Sequence, residues 1–223
     1  MKLGQIYLLI YNAAQVFGWS IILAKTSIGL LNGSSPFKIY KSIAFELEIF
    51  QTAAFLEVIH CMLGLVRSPV MTTFTQVFSR LMITWPVVHR CTEAQNTIGV
   101  CCFLMAWSTT EVIRYGFYGL SILGAVPYVL SWLRYTLFIV LYPLGVAGEL
   151  LAIYAALPQI KREKIYAFEM PNHYNISFDY GYALIGFAVM YIPVFPQLYF
   201  YMIGQRRKVI GGEGNVQKAK KTE

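Results

Sequence analysis

Six apolar stretches, each of a length that crosses a bilayer as a helix, leave this chain few architectures to choose from. An α-helix needs about 17 to 25 mainly apolar residues to traverse ~30 Å of hydrocarbon. Such windows fall near 6–24, 45–66, 70–89, 97–117, 133–157 and 180–203. Lipid offers the backbone no hydrogen-bond partner, so each segment must satisfy its own. The expected fold is therefore all-α, a polytopic membrane protein built as a bundle of six transmembrane helices, with five or seven spans as the alternatives because the second, third and fifth windows carry ionisable residues. Composition agrees, with 57% hydrophobic and 13% charged residues, against roughly a quarter charged in soluble domains. The formal charge of +7 lies largely after Gly204, on a tail rather than on a nucleic-acid-binding face, so nucleic acid is not an expected partner. Cys61, Cys91, Cys101 and Cys102 show neither zinc spacing nor a disulfide framework.

An even number of spans puts both termini on one side. Arg206-Arg207-Lys208 and Lys218-Ala219-Lys220-Lys221 mark that side as cytosolic by the positive-inside rule. Lys25, Lys38, Lys41, Lys161, Arg162 and Lys164 pull the other way. The chain divides into a transmembrane domain, 1–204, and a basic cytosolic tail, 205–223. Lys220-Lys221-Thr222-Glu223 has the form of the dilysine retrieval address of the endoplasmic reticulum, the expected location, although a merely solvated basic tail explains the same residues equally well. The opening apolar run is long and lacks a small-x-small cleavage site, so it reads as a retained helix rather than a signal peptide. Asn175-Ile176-Ser177 is a glycosylation sequon set too close to the last span to be used.

The informative residues are the ionisable ones inside the spans, because each costs at least ~2.5–3.5 kcal/mol at a helix centre unless paired or wet. Helical spacing puts Glu46, Phe50, Ala53, Glu57, His60 and Gly64 on one face of the second span, and Thr73, Gln76, Arg80 and Thr84 on one face of the third. The fourth carries Trp107, Glu111, Arg114 and Tyr118, and the fifth Phe138, Tyr142, Gly145 and Glu149. Four polar stripes are thus expected to meet in one intramembrane cavity. The plain alternative is structural: Glu57, Glu111 and Glu149 neutralise Arg80 and Arg114. His60, with no second ligand one turn away, reads as a packing residue rather than a metal site.

Tyr142 and Glu149 are the sharpest pair. Seven residues are nearly two turns, about 10.5 Å along the axis and only ~20° apart in azimuth, so a phenol and a carboxyl open on one space with Gly145 between them. Such groups suit a reaction that removes a proton from one carbon and protonates a hydroxyl leaving its neighbour. Glycines for helix packing and a tyrosine as filler explain the spacing equally well.

The stretches Phe55-Leu56-Glu57-Val58-Ile59-His60, Gln76-Val77-Phe78-Ser79-Arg80, Trp107-Ser108-Thr109-Thr110-Glu111-Val112-Ile113-Arg114-Tyr115 and Leu133-Arg134-Tyr135 through Tyr142-Pro143 to Glu149 resemble the 3-hydroxyacyl-CoA dehydratases of very-long-chain fatty acid elongation. The resemblance runs over nearly the whole chain, in the family's order. It implies an enzyme of the endoplasmic-reticulum membrane that removes water from a long-chain (3R)-3-hydroxyacyl-CoA to give the trans-2-enoyl-CoA. The family's catalytic tyrosine and glutamate fall on Tyr142 and Glu149. Its supporting polar residues fall on Glu57, Gln76, Arg80, Arg114, Arg134 and Gly145. A condensing enzyme, a ketoacyl reductase and an enoyl reductase are the implied partners, and neither metal nor redox cofactor is required. Glu149 is the preferred base and Tyr142 the donor, with the reverse assignment left open by the sequence. Arg67, Arg114 and Arg134 are placed to hold the phosphates of coenzyme A, and the acyl chain lies among apolar helices.

His60-Cys61-Met62-Leu63-Gly64-Leu65-Val66-Arg67-Ser68 also spells the tyrosine-phosphatase signature, for which the same family is called phosphatase-like. Phosphatase chemistry needs a thiolate in a glycine-rich phosphate loop and an Asp acid. Here the intervening residues are mostly apolar, and Trp85-Pro86-Val87 lacks the aspartate, so Cys61 is expected to be inert. The competing reading from another class is a small transporter or a non-catalytic scaffold of the elongation complex. A transporter tends to show two repeated halves, and the sequence has no such repeat.

Overall fold

Gly and Pro positions set where the helices start and stop. A computed structural model describes residues 2–168, 170 and 177–221, with side chains to residue 210. The regular structure of the described residues is entirely helical: α1 (Leu3–Leu31), α2 (Pro36–Ala53), α3 (Leu56–Met62), α4 (Val70–Met82), a π-helical continuation Ile83–His89, α5 (Thr92–Gln95), α6 (Ile98–Ile122), α7 (Tyr128–Thr136), α8 (Phe138–Glu163) and α9 (Tyr180–Lys221). One isolated antiparallel bridge, Phe168 to Phe178, pinches the link between α8 and α9.

The second span differs most from expectation. Its helix begins nine residues earlier than the apolar window, because Ser35 caps it by accepting the Lys38 N–H and Pro36 takes the first helical position. It breaks at Ala54 and Phe55, resumes as α3 and stops at Met62, where Gly64 follows with φ +68. Gly64 therefore ends the helix instead of lying on its polar face. Pro86 explains the π-helical segment: a proline removes a ladder donor, and a widened turn absorbs the defect.

Helix α6 is the centre of the bundle, packing on α1, α2 and α8. Gly99 and Gly148 let α6 and α8 touch backbone to backbone, since a Cβ on Gly148 would come within 2.6 Å of both the Gly99 carbonyl and the Phe103 amide. The Phe50 ring fills the notch left by Gly18 between α1 and α2.

Among the described residues three helices, α1, α8 and the stretch Tyr180–Ile210 of α9, are long and apolar enough to cross a membrane. Helix α6 has the length, but Ser108, Thr109, Thr110, Glu111 and Arg114 dilute its middle. At one end of the bundle Gly4 lies against Leu65, Gly119 against Leu9, and Arg206 on Thr136. At the other, Gly29 lies against Ile39, and Gln159 bonds Thr92 and the Glu93 amide. The sequon residues Asn175 and Ile176, and Thr222 and Glu223 of the dilysine form, lie outside the described residues.

Candidate active site

Charged residues from three helices meet where α3, α4 and α6 converge. On α6, residues 107, 111, 114, 115 and 118 fall within one broad face. The Glu111 carboxylate, 1% exposed, accepts from Arg80 of α4 and, at 2.7 Å, from Nε of Arg114. Arg114 then reaches Glu57 of α3 with both terminal nitrogens, at 2.8 and 2.7 Å, and the Tyr115 hydroxyl donates to the same carboxylate. Two arginines and two glutamates thereby neutralise one another, and the forked Arg114 to Glu57 contact is the geometry that a guanidinium makes best. The structural reading of the charges holds for Glu57, Glu111, Arg80 and Arg114.

Glu149 stands apart from this set. It is 7% exposed on α8, and among the described residues it makes no ion pair. Neutral donors hold it instead, with Trp107 Nε1 2.8 Å from one oxygen and the Tyr191 hydroxyl 2.6 Å from the other. Arg80 lies 5.3 Å above the Trp107 ring, so a cation is close without bonding the carboxylate. A buried carboxyl served by neutral donors keeps lone pairs free, since an ionised carboxylate can accept about four hydrogen bonds.

Tyr142, two turns before Glu149, is half-buried and stacks on Phe195 at 5.0 Å, with Tyr199 beyond. Glu149 and Arg80 both lie within electrostatic reach of its phenol. Gly145 sits between them on α8 and faces Ala106 and Trp107, where a Cβ would meet Ala106 at 3.4 Å. Tyr142, Gly145, Glu149, Arg80, Arg114 and Glu57 therefore gather in one region.

Gln76 does not join them and stands exposed on α4 one turn before Arg80. Arg67 is exposed in the link after α3. Arg134 lies beside the cluster, donating to the Tyr118 hydroxyl at 3.2 Å and lying 4.2 Å from the centre of the Phe117 ring. One of its terminal nitrogens, Nη1, is buried without a partner. His60 is a packing residue, bonded to the Tyr7 hydroxyl at 2.9 Å with the Tyr11 ring edge-on.

A polar cleft of about 350 Å³ between His89 and Tyr166, and an apolar groove of about 500 Å³ beside Ile98 and Tyr154, both lie nearer the far end of α8, away from Tyr142. Sequence reasoning missed Tyr191, Phe195 and Tyr199. Their four-residue spacing with Phe187 was the available signal.

The protein tyrosine phosphatase-like family, PTPLA, matches residues 51–212. This chain belongs to that family. It is 56% identical to the very-long-chain (3R)-3-hydroxyacyl-CoA dehydratase hpo-8 of Caenorhabditis elegans, over 93% of this chain and 96% of that one. It is 49% identical to very-long-chain (3R)-3-hydroxyacyl-CoA dehydratase 2 of Homo sapiens, over 93% and 82% respectively. It is 47% identical to very-long-chain (3R)-3-hydroxyacyl-CoA dehydratase 1 of Ovis aries, over 97% and 75%. No solved structure matches the chain significantly.

The phosphatase-like signature itself falls on a helix end. Cys61 is the next-to-last residue of α3, half-buried, with Thr73 Oγ1 3.6 Å from its sulfur. Arg67 is exposed in the link after α3, and Trp85-Pro86-Val87 lies inside the π-helical segment.

Proposed function

We propose that this membrane protein dehydrates long- and very-long-chain (3R)-3-hydroxyacyl-CoA to trans-2-enoyl-CoA, the third step of the fatty acid elongation cycle. Relationship to dehydratases over 93% of the chain, at 56% identity, is the observation that carries the reading. Tyr142 and Glu149 are the proposed acid and base. Glu149 takes the proton from the carbon α to the thioester, the C–H electrons become the new C=C bond, and the bond from the β-carbon to its hydroxyl breaks. Tyr142 gives its proton to the departing hydroxyl, which leaves as water. Glu149 then gives the captured proton to water and the Tyr142 phenolate takes one back from water, restoring both groups. The reverse roles for the two groups use the same positions.

Arg134, with an unpartnered guanidinium nitrogen, and Arg67 suit the phosphates of coenzyme A, whereas Arg114 is already engaged by two carboxylates. The acyl chain lies among the apolar helices. Purified protein supplied with a long-chain 3-hydroxyacyl-CoA is expected to form the 2-enoyl-CoA, and Cys61→Ser is expected to retain that activity. An inactive, folded protein, or phosphotyrosine hydrolysis abolished by Cys61→Ser, would reverse this reading.

The chain is further proposed to cross the endoplasmic-reticulum membrane six times, as residues 1–204, with the basic segment 205–223 in the cytosol beside other elongation-cycle enzymes. The chain ends support an even number of crossings, since Gly4 and Arg206 abut the links at the same end of the bundle. Arg206-Arg207-Lys208 supports the cytosolic side. A tag after Glu223 is expected to be digested by protease added to intact microsomes. Its protection would place that end in the lumen.

A further inference from the structure

Helix α9 presents Phe187, Tyr191, Phe195 and Tyr199 as a continuous aromatic stripe, half-buried while Ile192, Pro193, Pro196 and Phe200 around it are exposed. The stripe meets both groups that the dehydratase reading singles out. Tyr191 bonds Glu149 at 2.6 Å, and one turn later Phe195 stacks on Tyr142 with its ring plane inclined by only 4°. On the opposite side Trp107 of α6 bonds the other Glu149 oxygen at 2.8 Å.

We propose that Tyr191 and Trp107 are positioning residues for Glu149, two donors on different helices that fix the plane of its carboxylate and leave its remaining lone pairs turned toward Tyr142. The proposal rests on the dehydratase reading above. A carboxyl two turns from Tyr142 on the same helix has rotatable bonds enough to point elsewhere, and among the described residues no cation forms an ion pair with it. Donors to both oxygens restrict its rotation, because each oxygen must stay within hydrogen-bond reach of a different helix. Phe195 does the same for the phenol by confining its ring. Tyr191 acts through Glu149 and not on the substrate.

The test measures Tyr191→Phe and Trp107→Phe in folded, detergent-purified full-length protein, beside Glu149→Gln and Tyr142→Phe. Tyr191→Phe removes one oxygen and keeps the ring against Phe187. Loss of a hydrogen bond to a charged group is expected to lower kcat about 10- to 100-fold. KM for the acyl-CoA is expected to stay within about twofold, since the contact is to the carboxylate rather than the substrate. Trp107→Phe is expected to show the same split. A purely packing role for Tyr191 would leave kcat untouched in Tyr191→Phe.

Turnover above half of wild type in Tyr191→Phe, with Glu149→Gln inactive, overturns this proposal and leaves the dehydratase site standing. Near-normal turnover in Glu149→Gln instead removes the site on which it rests. A raised KM at unchanged kcat makes Tyr191 a substrate contact, and a loss well beyond 100-fold that equals the loss in Tyr142→Phe makes it a proton donor. Failure of Tyr191→Phe to fold makes it a structural residue. Each of these three outcomes overturns the positioning role.

Discussion

Tyr142→Phe and Glu149→Gln are each expected to lower turnover of a long-chain 3-hydroxyacyl-CoA by about 10²–10⁴-fold, the range for removing a general acid or base. The two substitutions differ in what else they disturb. Tyr142→Phe keeps the ring that stacks on Phe195, so the packing around it survives. Glu149→Gln keeps the shape, but an amide offers one oxygen where the carboxylate offers two. The amide oxygen can stay on Trp107 Nε1, which only donates, while the amide NH2 donates to the Tyr191 oxygen and leaves the Tyr191 hydroxyl proton without its acceptor. A buried donor left unsatisfied costs about 1–3 kcal/mol, so Glu149→Gln should melt somewhat lower than Tyr142→Phe. Both groups act on one elimination, and the double variant should lose far less than the product of the two single losses. Monodisperse, folded variants that both turn over at near the wild-type rate would instead favour a non-catalytic scaffold.

The part of the site built from charge was readable in advance. Glu57, Arg80, Glu111 and Arg114 are so costly in hydrocarbon that their presence in apolar windows announces an inward face, and they do converge. The stripe residue Gln76 stands exposed instead of pairing within the cluster, because an uncharged amide carries no charge that must be neutralised. The aromatic stripe of α9 was hidden for the opposite reason. Phenylalanine and tyrosine are at home in lipid, so their side of a span carries no sign of whether it faces protein or bilayer. Tyr191 became visible only through the Glu149 oxygen that it bonds.

Helix boundaries were the other loss. Apolar windows report where lipid can be, whereas Ser35, Pro36 and Gly64 decide where the backbone is helical, and the two criteria part company at the second span. The split of Glu149 from the other carboxylates was also beyond reach. Spacing along single helices leaves open which of three glutamates pair with which of two arginines, because the answer depends on how far α8 sits from α4. How closely α8 approaches α6, between the two, is set by the small residues Gly99, Gly145 and Gly148.

Arg114→Gln is expected to be the most destabilising of the site substitutions, by roughly 3–5 kcal/mol, as for removal of one member of a buried pair. Arg114 contacts Glu111 and Glu57 through Nε and both terminal nitrogens, and those carboxylates are 2% and 14% exposed at their side chains. Without it Glu111 retains Arg80, while Glu57 keeps the Tyr115 hydroxyl among the described residues and becomes an uncompensated, largely buried anion. The harm thus comes from the orphaned charge more than from lost attraction, and the distinction can be measured. Replacing the pair together, Arg114→Met with Glu57→Leu, leaves Arg80 and Glu111 balanced one to one and should recover a large share of the lost melting temperature in detergent. Arg162→Gln, which breaks a pair on the surface with Glu93, is the control and should leave the melting temperature where it was. Equal melting of Arg114→Gln and wild type would show that the four-residue set is solvated rather than buried. A double variant less stable than Arg114→Gln would show that mutual attraction, not the cost of an unpaired charge, holds α3 against α6.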